Sequence, residues 1–205
     1  MSSYENEVKN AGEKSTSLLK KIDFSMMKYL WLANPLSSAR KGSIPRFLRK
    51  IELLKNFSDN ELRILAKFMH SRKFAEGELI FRQGEIGIGF YFIYSGSVEL
   101  RYAESSIESE QKEFLIMEEY NYLGELSLLQ ENIPRTATAI AHNRCELVGI
   151  FKPDVDHLIL HYPVIAAKLI QSIYIAIADR LYYFTQETTK VYKKLKELEA
   201  KNDNK

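Results

Sequence analysis

The chain has 205 residues, of which 45% are hydrophobic and 27% are charged, a composition typical of soluble globular proteins. Its net charge of +2 excludes a strongly basic nucleic-acid-binding protein, and no run of about 18 uncharged apolar residues predicts a transmembrane helix. The only cysteine, Cys145, excludes an internal disulfide and fits a reducing compartment. The first seventeen residues are polar and lack a secretory signal pattern, so we expect a cytoplasmic protein.

Charge is distributed unevenly along the chain. Residues 1–50 carry a net charge of +6, residues 51–189 carry −7, and residues 190–205 carry +3. An acidic central part is a poor general binder of nucleic acid, because contacts with phosphates dominate that affinity. The basic ends are expected to be mainly solvated helix faces.

Residues 1–45 form an N-terminal extension. Apolar residues at helical spacing predict a helix in its second half; they are Leu19, Ile22, Met26, Leu30 and Ala33. This helix should end at Asn34, because a residue before proline is pushed out of the α region. Residues 37–45 are predicted to be a linker. A second interpretation makes the basic helix a contact with a membrane surface.

The predicted central domain covers residues 46–162 and begins with two short helices. These are predicted at 46–55 and 58–69. The second has a capping-box signature, because Ser58 is followed three residues later by Glu61.

Residues 74–151 have a pattern typical of β-strands. Strands rich in β-branched and aromatic residues are predicted at 78–81, at 90–98 with an extension to 102, at 113–117 and within 136–151. Glycines at positions 77, 84, 87, 89 and 96 mark turns between them. Many short strands joined by glycine turns indicate a barrel or a jelly-roll sandwich.

Residues after 151 return to a helical pattern. A short helix is predicted at 154–161, and Pro163 suits the first turn of a long helix that covers 163–205. Apolar residues alternate by three and four along the long helix: Ala167, Ile170, Tyr174, Ile177, Leu181, Phe184, Thr188, Val191, Leu195 and Leu198. The segment 188–198 lies beyond the part that can cover the barrel, so its stripe predicts a homodimer.

The segment from 124 to 138 carries the strongest functional signal. It reads Gly124-Glu125-Leu126-Ser127-Leu128-Leu129, then 130–133, then Pro134-Arg135-Thr136-Ala137-Thr138. This order closely resembles the phosphate-binding cassette of the cyclic nucleotide-binding domain family. The resemblance extends upstream to 74–85 and 91–98, and it covers roughly residues 46–185.

The resemblance implies an α+β fold: an eight-stranded antiparallel β-roll, or jelly-roll barrel, flanked by N-terminal helices and a long C-terminal helix. It also implies a cyclic mononucleotide ligand, cyclic AMP in the first place, with cyclic GMP kept open by Thr136. Arg135 would meet the cyclic phosphate with a planar fork of donors and a permanent charge. Glu125 would accept the ribose 2′-hydroxyl, and Gly124 would let the backbone approach the ligand.

Other positions follow from the same resemblance. The backbone amides of Thr136 and Ala137 would add donors to the phosphate. Phe184 and Thr185 on the long helix would cap the base, with a dimer-core role for Phe184 as an equal alternative. The side chains of Leu126, Leu128 and Leu129 are expected in the core. The complete predicted ligand-binding set is Val98, Gly124, Glu125, Leu126, Ser127, Pro134, Arg135, Thr136, Ala137, Phe184 and Thr185.

Two departures from the family pattern accompany the resemblance. The segment between Glu125 and Arg135 is one residue longer than in the kinase and channel branches, and it equals that of the bacterial activator branch. The turn 84–89 lacks the family's usual aspartate and serine. We expect this turn at the end of the barrel, away from the ligand.

These observations predict a sensor that binds a cyclic nucleotide and is not itself an enzyme. Ligand would shift the cassette and the C-terminal helix and so signal to an unidentified effector protein. No direct DNA binding is expected, because the chain stops at Lys205 soon after the long helix. The alternative is an interaction or scaffold module on the same barrel with a non-functional or repurposed pocket. A separate structural interpretation makes Glu125 and Arg135 an ion pair on a barrel of another function. No metal is expected, since His157 and His161 have no third ligand nearby.

Overall fold

Helices stand before and after the strands in the described part of the chain. The computed structural model describes residues 44–102, 114–130 and 132–202. The helices are α1 (Ile44–Leu48), α2 (Asp59–Leu65), α3 (Leu126–Leu129), α4 (Lys152–His161) and α5 (Pro163–Asn202), with 3-10 turns at Glu52–Leu54 and Ala66–Phe68. The strands are β1 (His70–Phe74), β2 (Leu79–Phe81), β3 (Gly89–Ser95), β4 (Val98–Arg101), β5 (Phe114–Met117), β6 (Tyr122–Leu123), β7 (Thr138–Ala141) and β8 (Cys145–Phe151). The predicted helix within residues 19–33 lies outside the described residues.

Eight strands form two four-stranded sheets. Their orders are β1-β8-β3-β6 and β2-β7-β4-β5, and every strand pair is antiparallel. This arrangement confirms the predicted eight-stranded antiparallel β-roll. Side chains of both sheets meet in one apolar cluster, to which β8 contributes Leu147. The alternate β8 residues Val148 and Ile150 belong to a second cluster shared with the helices, as the two-residue period of a strand requires.

Strand β1 begins earlier than the predicted strand region, which starts at residue 74. Residues 70–73 are polar and half-buried, so they give no apolar alternation from which a strand could be predicted. The segment is a strand because it pairs along its whole length with the buried strand β8. The predicted strand region 136–151 is also divided: a turn separates β7 from β8, and Asn143 Oδ1 accepts the Ser97 backbone N–H there at 2.9 Å.

The helices before the β-roll differ in part from the prediction. The capping box of α2 is confirmed, because Ser58 and Glu61 bond to each other's backbone N–H. The predicted linker 37–45 extends too far, since α1 already begins at Ile44, which is 5% exposed. The predicted helix 46–55 is wrong as one unit. It is α1 followed by a turn and a short 3-10 turn, which together bury Phe47, Leu48, Ile51 and Leu54.

Helices α4 and α5 confirm the predicted C-terminal pattern. Asp154 accepts the Phe151 backbone N–H at the start of α4 and contacts His70 at 3.1 Å. Helix α5 begins at Pro163 and runs for 40 residues. Its first turns bury Leu169 and Ile173 in the core, whereas its apolar side chains from Leu181 onward are exposed. Among the described helices, none combines the length and apolar character needed to cross a bilayer.

Glu61 connects α2 to α5. Its carboxylate accepts hydrogen bonds from Lys168 Nζ at 2.7 and 2.9 Å and from the Ser58 backbone N–H at 2.7 Å. The hydrogen bond from Lys168, followed by that from Ser58, holds the pKa of Glu61 below its ordinary value. The resulting stability is therefore present above the ordinary carboxyl pKa and is lost as the pH falls through the lowered pKa.

We expect Glu61→Gln to destabilise the fold by about 1 kcal/mol at neutral pH, the size of a capping interaction. The difference from the wild type should shrink at about pH 3, below the ordinary carboxyl pKa. Urea unfolding at both pH values measures it. Glu76→Gln, at an exposed glutamate, is the matched control and should leave the free energy of unfolding unchanged. An equal loss at both pH values would contradict the role given to the ion pair.

Candidate functional site

A cavity of about 270 Å³ lies between the sheet β2-β7-β4-β5, helix α3 and helix α5. This volume is close to the lower end of ligand pockets, which span roughly 300–1,000 Å³. Its lining residues are Phe81, Leu100, Tyr102, Leu115, Met117, Tyr122, Leu123, Gly124, Glu125, Leu126, Ser127, Ile133, Pro134, Arg135, Thr136, Ala137 and Arg180. Part of the lining is apolar, and the two charged residues of the predicted cassette, Glu125 and Arg135, also line the cavity.

Arg135 is the buried cation of this cavity, with 6% of its surface exposed. Its Nη1 donates to Ser127 Oγ at 2.8 Å and to the Gly124 carbonyl at 3.2 Å, and its Nη2 donates to the Gly89 carbonyl at 2.8 Å. The guanidinium carbon lies 4.1 Å from the centre of the Phe81 ring. Neutral acceptors and an aromatic face therefore fix the guanidinium before any ligand arrives.

The charge of Arg135 has no carboxylate partner within 4.0 Å among the described residues. Burial accordingly lowers the pKa of Arg135, and the neighbouring Tyr91 opposes this shift. A buried cation that lacks a counter-ion is unfavourable, so the site favours an anion that can reach it. The structural ion pair between Glu125 and Arg135 that the sequence left open is not formed, because Glu125 pairs with Arg180.

Glu125 pairs with the long helix instead. Its carboxylate is 5% exposed at the start of α3 and accepts a hydrogen bond from Arg180 Nη1 at 2.6 Å. The Arg180 side chain is 61% exposed, so it lies at the mouth of the cavity. Burial raises the pKa of Tyr122, and the neighbouring Arg180 opposes this shift. Tyr122, Arg180 and Glu125 therefore connect strand β6, helix α5 and the cassette.

The glycine turn 84–89 supports Arg135 directly, which the sequence did not indicate. The Arg135 backbone N–H donates to the Glu85 carbonyl at 2.8 Å, and the Gly84 N–H donates to the Arg135 carbonyl at 2.9 Å. A Cβ at Gly87 would lie 2.0 Å from Ser127 Oγ and 3.1 Å from the Arg135 guanidinium carbon. The turn does not line the cavity, which agrees with the expectation that it does not touch the ligand, but its glycines make room for the arginine.

Eight of the predicted ligand-binding residues line the cavity, four at 124–127 and four at 134–137. They are Gly124, Glu125, Leu126, Ser127, Pro134, Arg135, Thr136 and Ala137. Gly124 has a φ of 81°, and a Cβ there would lie 2.1 Å from Arg135 Nη1, so a glycine is required.

The expectation that the cassette leucines lie in the core holds only for Leu128, which packs against the helical core. Leu126 lines the cavity, and Leu129 is 40% exposed because α3 is a single turn at the surface.

The other three predicted residues do not reach the cavity. Val98 is fully buried in the cluster between the sheets, deeper than the cavity wall. Phe184 is 70% exposed, and Thr185 Oγ1 donates to the Leu181 carbonyl of its own helix. Helix α5 continues past the cavity, so the position that faces the cassette is Arg180, one turn before Phe184. The assignment of a base-capping role to Phe184 and Thr185 is therefore corrected.

Sequence reasoning missed the apolar wall of the cavity. Leu100 and Tyr102 at β4, with Leu115 and Met117 of β5, form this wall. Their spacing by two along neighbouring strands places them on one face of the sheet, which is a signal that the sequence offers. Arg180 carried no comparable signal, because its role depends on how α5 docks. The described residues contain no group of three or more His, Cys, Asp or Glu side chains placed to hold a metal ion.

The comparison with family models identifies the class of this site. Residues 71–162 match the family model described as the cyclic nucleotide-binding domain. The resemblance to this family that the cassette predicted is thus confirmed for residues 71–162.

Individual relatives agree with this class. The chain is 29% identical over 123 residues to a cAMP-dependent protein kinase regulatory subunit of Mucor circinelloides f. lusitanicus, covering 60% of this chain and 28% of that protein. It is 32% identical over 106 residues to a cGMP-dependent protein kinase of Caenorhabditis elegans, covering 52% of this chain and 13% of that protein. The match is thus confined to a minor part of both curated relatives.

A solved structure shares the fold. The crystal structure of the catabolite activator protein of Thermus thermophilus is similar with a TM-score of 0.59 and 26% sequence identity. The similarity covers 68% of this chain and 62% of that chain. The fold of about two thirds of this chain is therefore shared with that protein.

We expect Gly87→Ala to weaken binding of a labelled cyclic nucleotide by about tenfold or more. The new Cβ would break the hydrogen bond that Arg135 donates to Ser127 Oγ. A hydrogen bond to a charged group contributes about 1.5–3 kcal/mol, and each 1.4 kcal/mol is tenfold. The control is the same substitution in a Ser127→Ala background, where the clash with Oγ is absent and the loss should be smaller. Equal losses in both backgrounds would mean that Gly87 does not act through Ser127.

Proposed function

We propose that the chain is a sensor that binds a cyclic mononucleotide and acts by binding rather than by catalysis. The observation that carries the proposal is the buried, preformed Arg135 without a carboxylate partner among the described residues, at the cavity of a cyclic nucleotide-binding domain. A cyclic phosphate supplies the single negative charge that this cation lacks. The apolar wall at Leu100 and Leu115 suits a flat base, and Glu125 suits a ribose hydroxyl.

We propose cyclic AMP as the ligand, with cyclic GMP as the competing candidate. Thr136, next to Arg135, is exposed and lines the cavity, where its hydroxyl is available to a base. The names of the relatives include both cAMP-dependent and cGMP-dependent proteins. Calorimetry of the full chain with both nucleotides and with their 2′-deoxy analogues ranks the candidates. A ligand held by Glu125 should bind more weakly as its 2′-deoxy analogue.

Arg135→Ala should weaken nucleotide binding by about thirtyfold to a few thousandfold. This range corresponds to about 2–5 kcal/mol, the cost of truncating one partner of a buried charge pair. Arg82→Ala, at an exposed arginine, is the matched control and should retain the wild-type affinity. Circular dichroism checks that the fold survives. Wild-type affinity in Arg135→Ala, or a wild type that binds no cyclic nucleotide, would favour the interaction-module alternative.

The proposed signal passes through the contact between Glu125 and Arg180. The same carboxylate that is assigned to the ribose hydroxyl also holds helix α5 at 2.6 Å. A ligand that bonds to Glu125 therefore changes the environment of Arg180. Because a ligand shifts the equilibrium toward the helix arrangement that it contacts better, nucleotide binding should alter the position or the stability of α5.

Arg180→Ala should uncouple α5 from the cassette. In the wild type we expect nucleotide to change amide hydrogen exchange both in residues 124–129 and in the part of α5 around residue 180. In Arg180→Ala the change should remain in the cassette and disappear from α5. Lys190→Ala, on the same helix but paired only with Glu187, is the control and should behave as the wild type. An unchanged exchange pattern in Arg180→Ala would contradict this route.

We further propose that the distal part of α5 pairs with a second copy of the chain. Val191, Leu195 and Leu198 are 51–66% exposed in the single chain, and Thr188 lies on the same stripe. Leaving these side chains in water is unfavourable by about 25 cal/mol per Å² of apolar surface. Pairing of two helices along the stripe removes that surface from water while the flanking lysines and glutamates stay solvated.

Leu195→Asp should weaken the dimer without unfolding the β-roll, because it places an unpaired charge in the seam. Analytical ultracentrifugation of the wild type and the variant measures the association. Glu197→Asp, at an exposed position two residues away, is the control and should leave association unchanged. A dimer of unchanged stability in Leu195→Asp would move the interface to another part of the chain, and a monomeric wild type would rule it out.

A further inference from the structure

A second concavity of about 920 Å³ lies between α1 and α2. It shares no lining residue with the cavity at Arg135. One wall is Pro45, Arg46 and Arg49, and the other is Arg63, Ala66 and Lys67. The buried side chains of Leu62 and Met69 lie at its base. We refer to it as the α1–α2 groove. Arginine and lysine side chains combine an aliphatic stem with a charged end, so the lining residues offer both apolar and cationic surface.

The charges at the rim are mostly unpaired. Arg49 bonds to Asp59, and Arg63 donates to Asn60 at 2.6 Å. Arg46 and Lys67 contact no carboxylate among the residues that the structure describes. An occupant of this groove therefore needs an apolar body and must not carry a positive charge of its own. An aromatic ring meets both needs, because its face attracts cations.

The chain itself supplies such a segment next to the groove. Residues 1–43 precede Ile44, and Ile44 and Pro45 already line the groove. The last large apolar segment before them is 30–36, Leu-Trp-Leu-Ala-Asn-Pro-Leu, and residues 30–39 carry no charge. Eight residue steps separate Leu36 from Ile44 and span at most about 29 Å when extended. The segment can therefore turn back and reach the groove.

We propose that residues 30–36 dock into the α1–α2 groove of the same chain, with the Trp31 ring against the cationic rim formed by Arg46, Arg63 and Lys67. The match rests on the uncharged apolar segment, the arginine-walled groove and the short connection between them. Docking places the N-terminal extension on the helical layer that Glu61 and Lys168 join to α5. This proposal is independent of nucleotide binding.

Trp31 is the only tryptophan in the chain, so its fluorescence reports this contact without further labelling. In the full chain we expect its emission at shorter wavelength than that of N-acetyltryptophanamide and protected from acrylamide. Ala66→Lys, which fills the groove with a long cationic side chain, should shift both properties to those of the free amide. Ala167→Lys, the same substitution at an exposed alanine of α5, is the matched control and should change neither.

Four outcomes would overturn the proposal. Trp31 could be as exposed in the wild type as in Ala66→Lys, or its protection could persist in Ala66→Lys. Protection that disappears on dilution would place the segment against a second copy. Protection that arises only with vesicles containing phosphatidylserine would assign the segment to a membrane surface. The affinity of Ala66→Lys for labelled cyclic nucleotide is also measured, and an unchanged value checks that the variant is folded.

A cross-link tests the same proximity without fluorescence. With Leu32→Cys and Lys67→Cys together, mild oxidation should give an intramolecular disulfide, which requires α-carbons within about 7 Å. Leu32→Cys with Lys55→Cys, at an exposed lysine outside the groove, should cross-link far less. Cys145 does not interfere, because it is 2% exposed and burial raises the pKa of its thiol to about 11. Equal cross-linking in both pairs would contradict docking in the groove.

Discussion

A buried guanidinium that has no acidic partner within the described ranges is the constraint on which the site depends. Water cannot solvate Arg135, so the Gly124 and Gly89 carbonyls and Ser127 Oγ replace it. These acceptors come from two segments that are distant in sequence, Gly89 and the cassette residues 124–127, and the backbone of Arg135 also pairs with the turn 84–89. One side chain thus holds the end of β3, the helix after β6 and the loop before β7 together. These contacts hold the guanidinium in place on their own, so a bound anion would add to the arrangement and is not needed to form it.

The helical layer is attached to this centre through two ion pairs on one helix. Arg180 of α5 contacts Glu125 in the cassette, and Lys168 of α5 contacts Glu61 in α2. The two cations are twelve residues apart, which is about 18 Å along an α-helix. Between them, Leu169 and Ile173 are buried in the core. The helix is therefore held by apolar packing and by two ion pairs, one of which lies at the candidate site.

The sequence predicted those features that depend on residue type and short spacing. The cassette, the capping box of α2, the strand region and the helix beginning at Pro163 all have such local signals. The polar strand β1 escaped prediction because its partner β8, not its own residues, makes it a strand. The sequence could not show that Arg180 lines the cavity whereas Val98 and Phe184 do not, because these positions depend on depth in the β-roll and on the docking of α5. The contribution of Gly87 required knowing that Arg135 lies against it.

The length of α5 gives a small event at the cavity a large reach. From Arg180 to Asn202 the helix extends about 33 Å beyond its last contact with the cassette, at 1.5 Å per residue. A tilt of about 10° around Arg180 would displace its far end by about 6 Å, close to one helical turn. Such a tilt would convert the loss or gain of one hydrogen bond into a displacement large enough to break the register with any helix packed against the far end. It would make the projecting helix a mechanical amplifier.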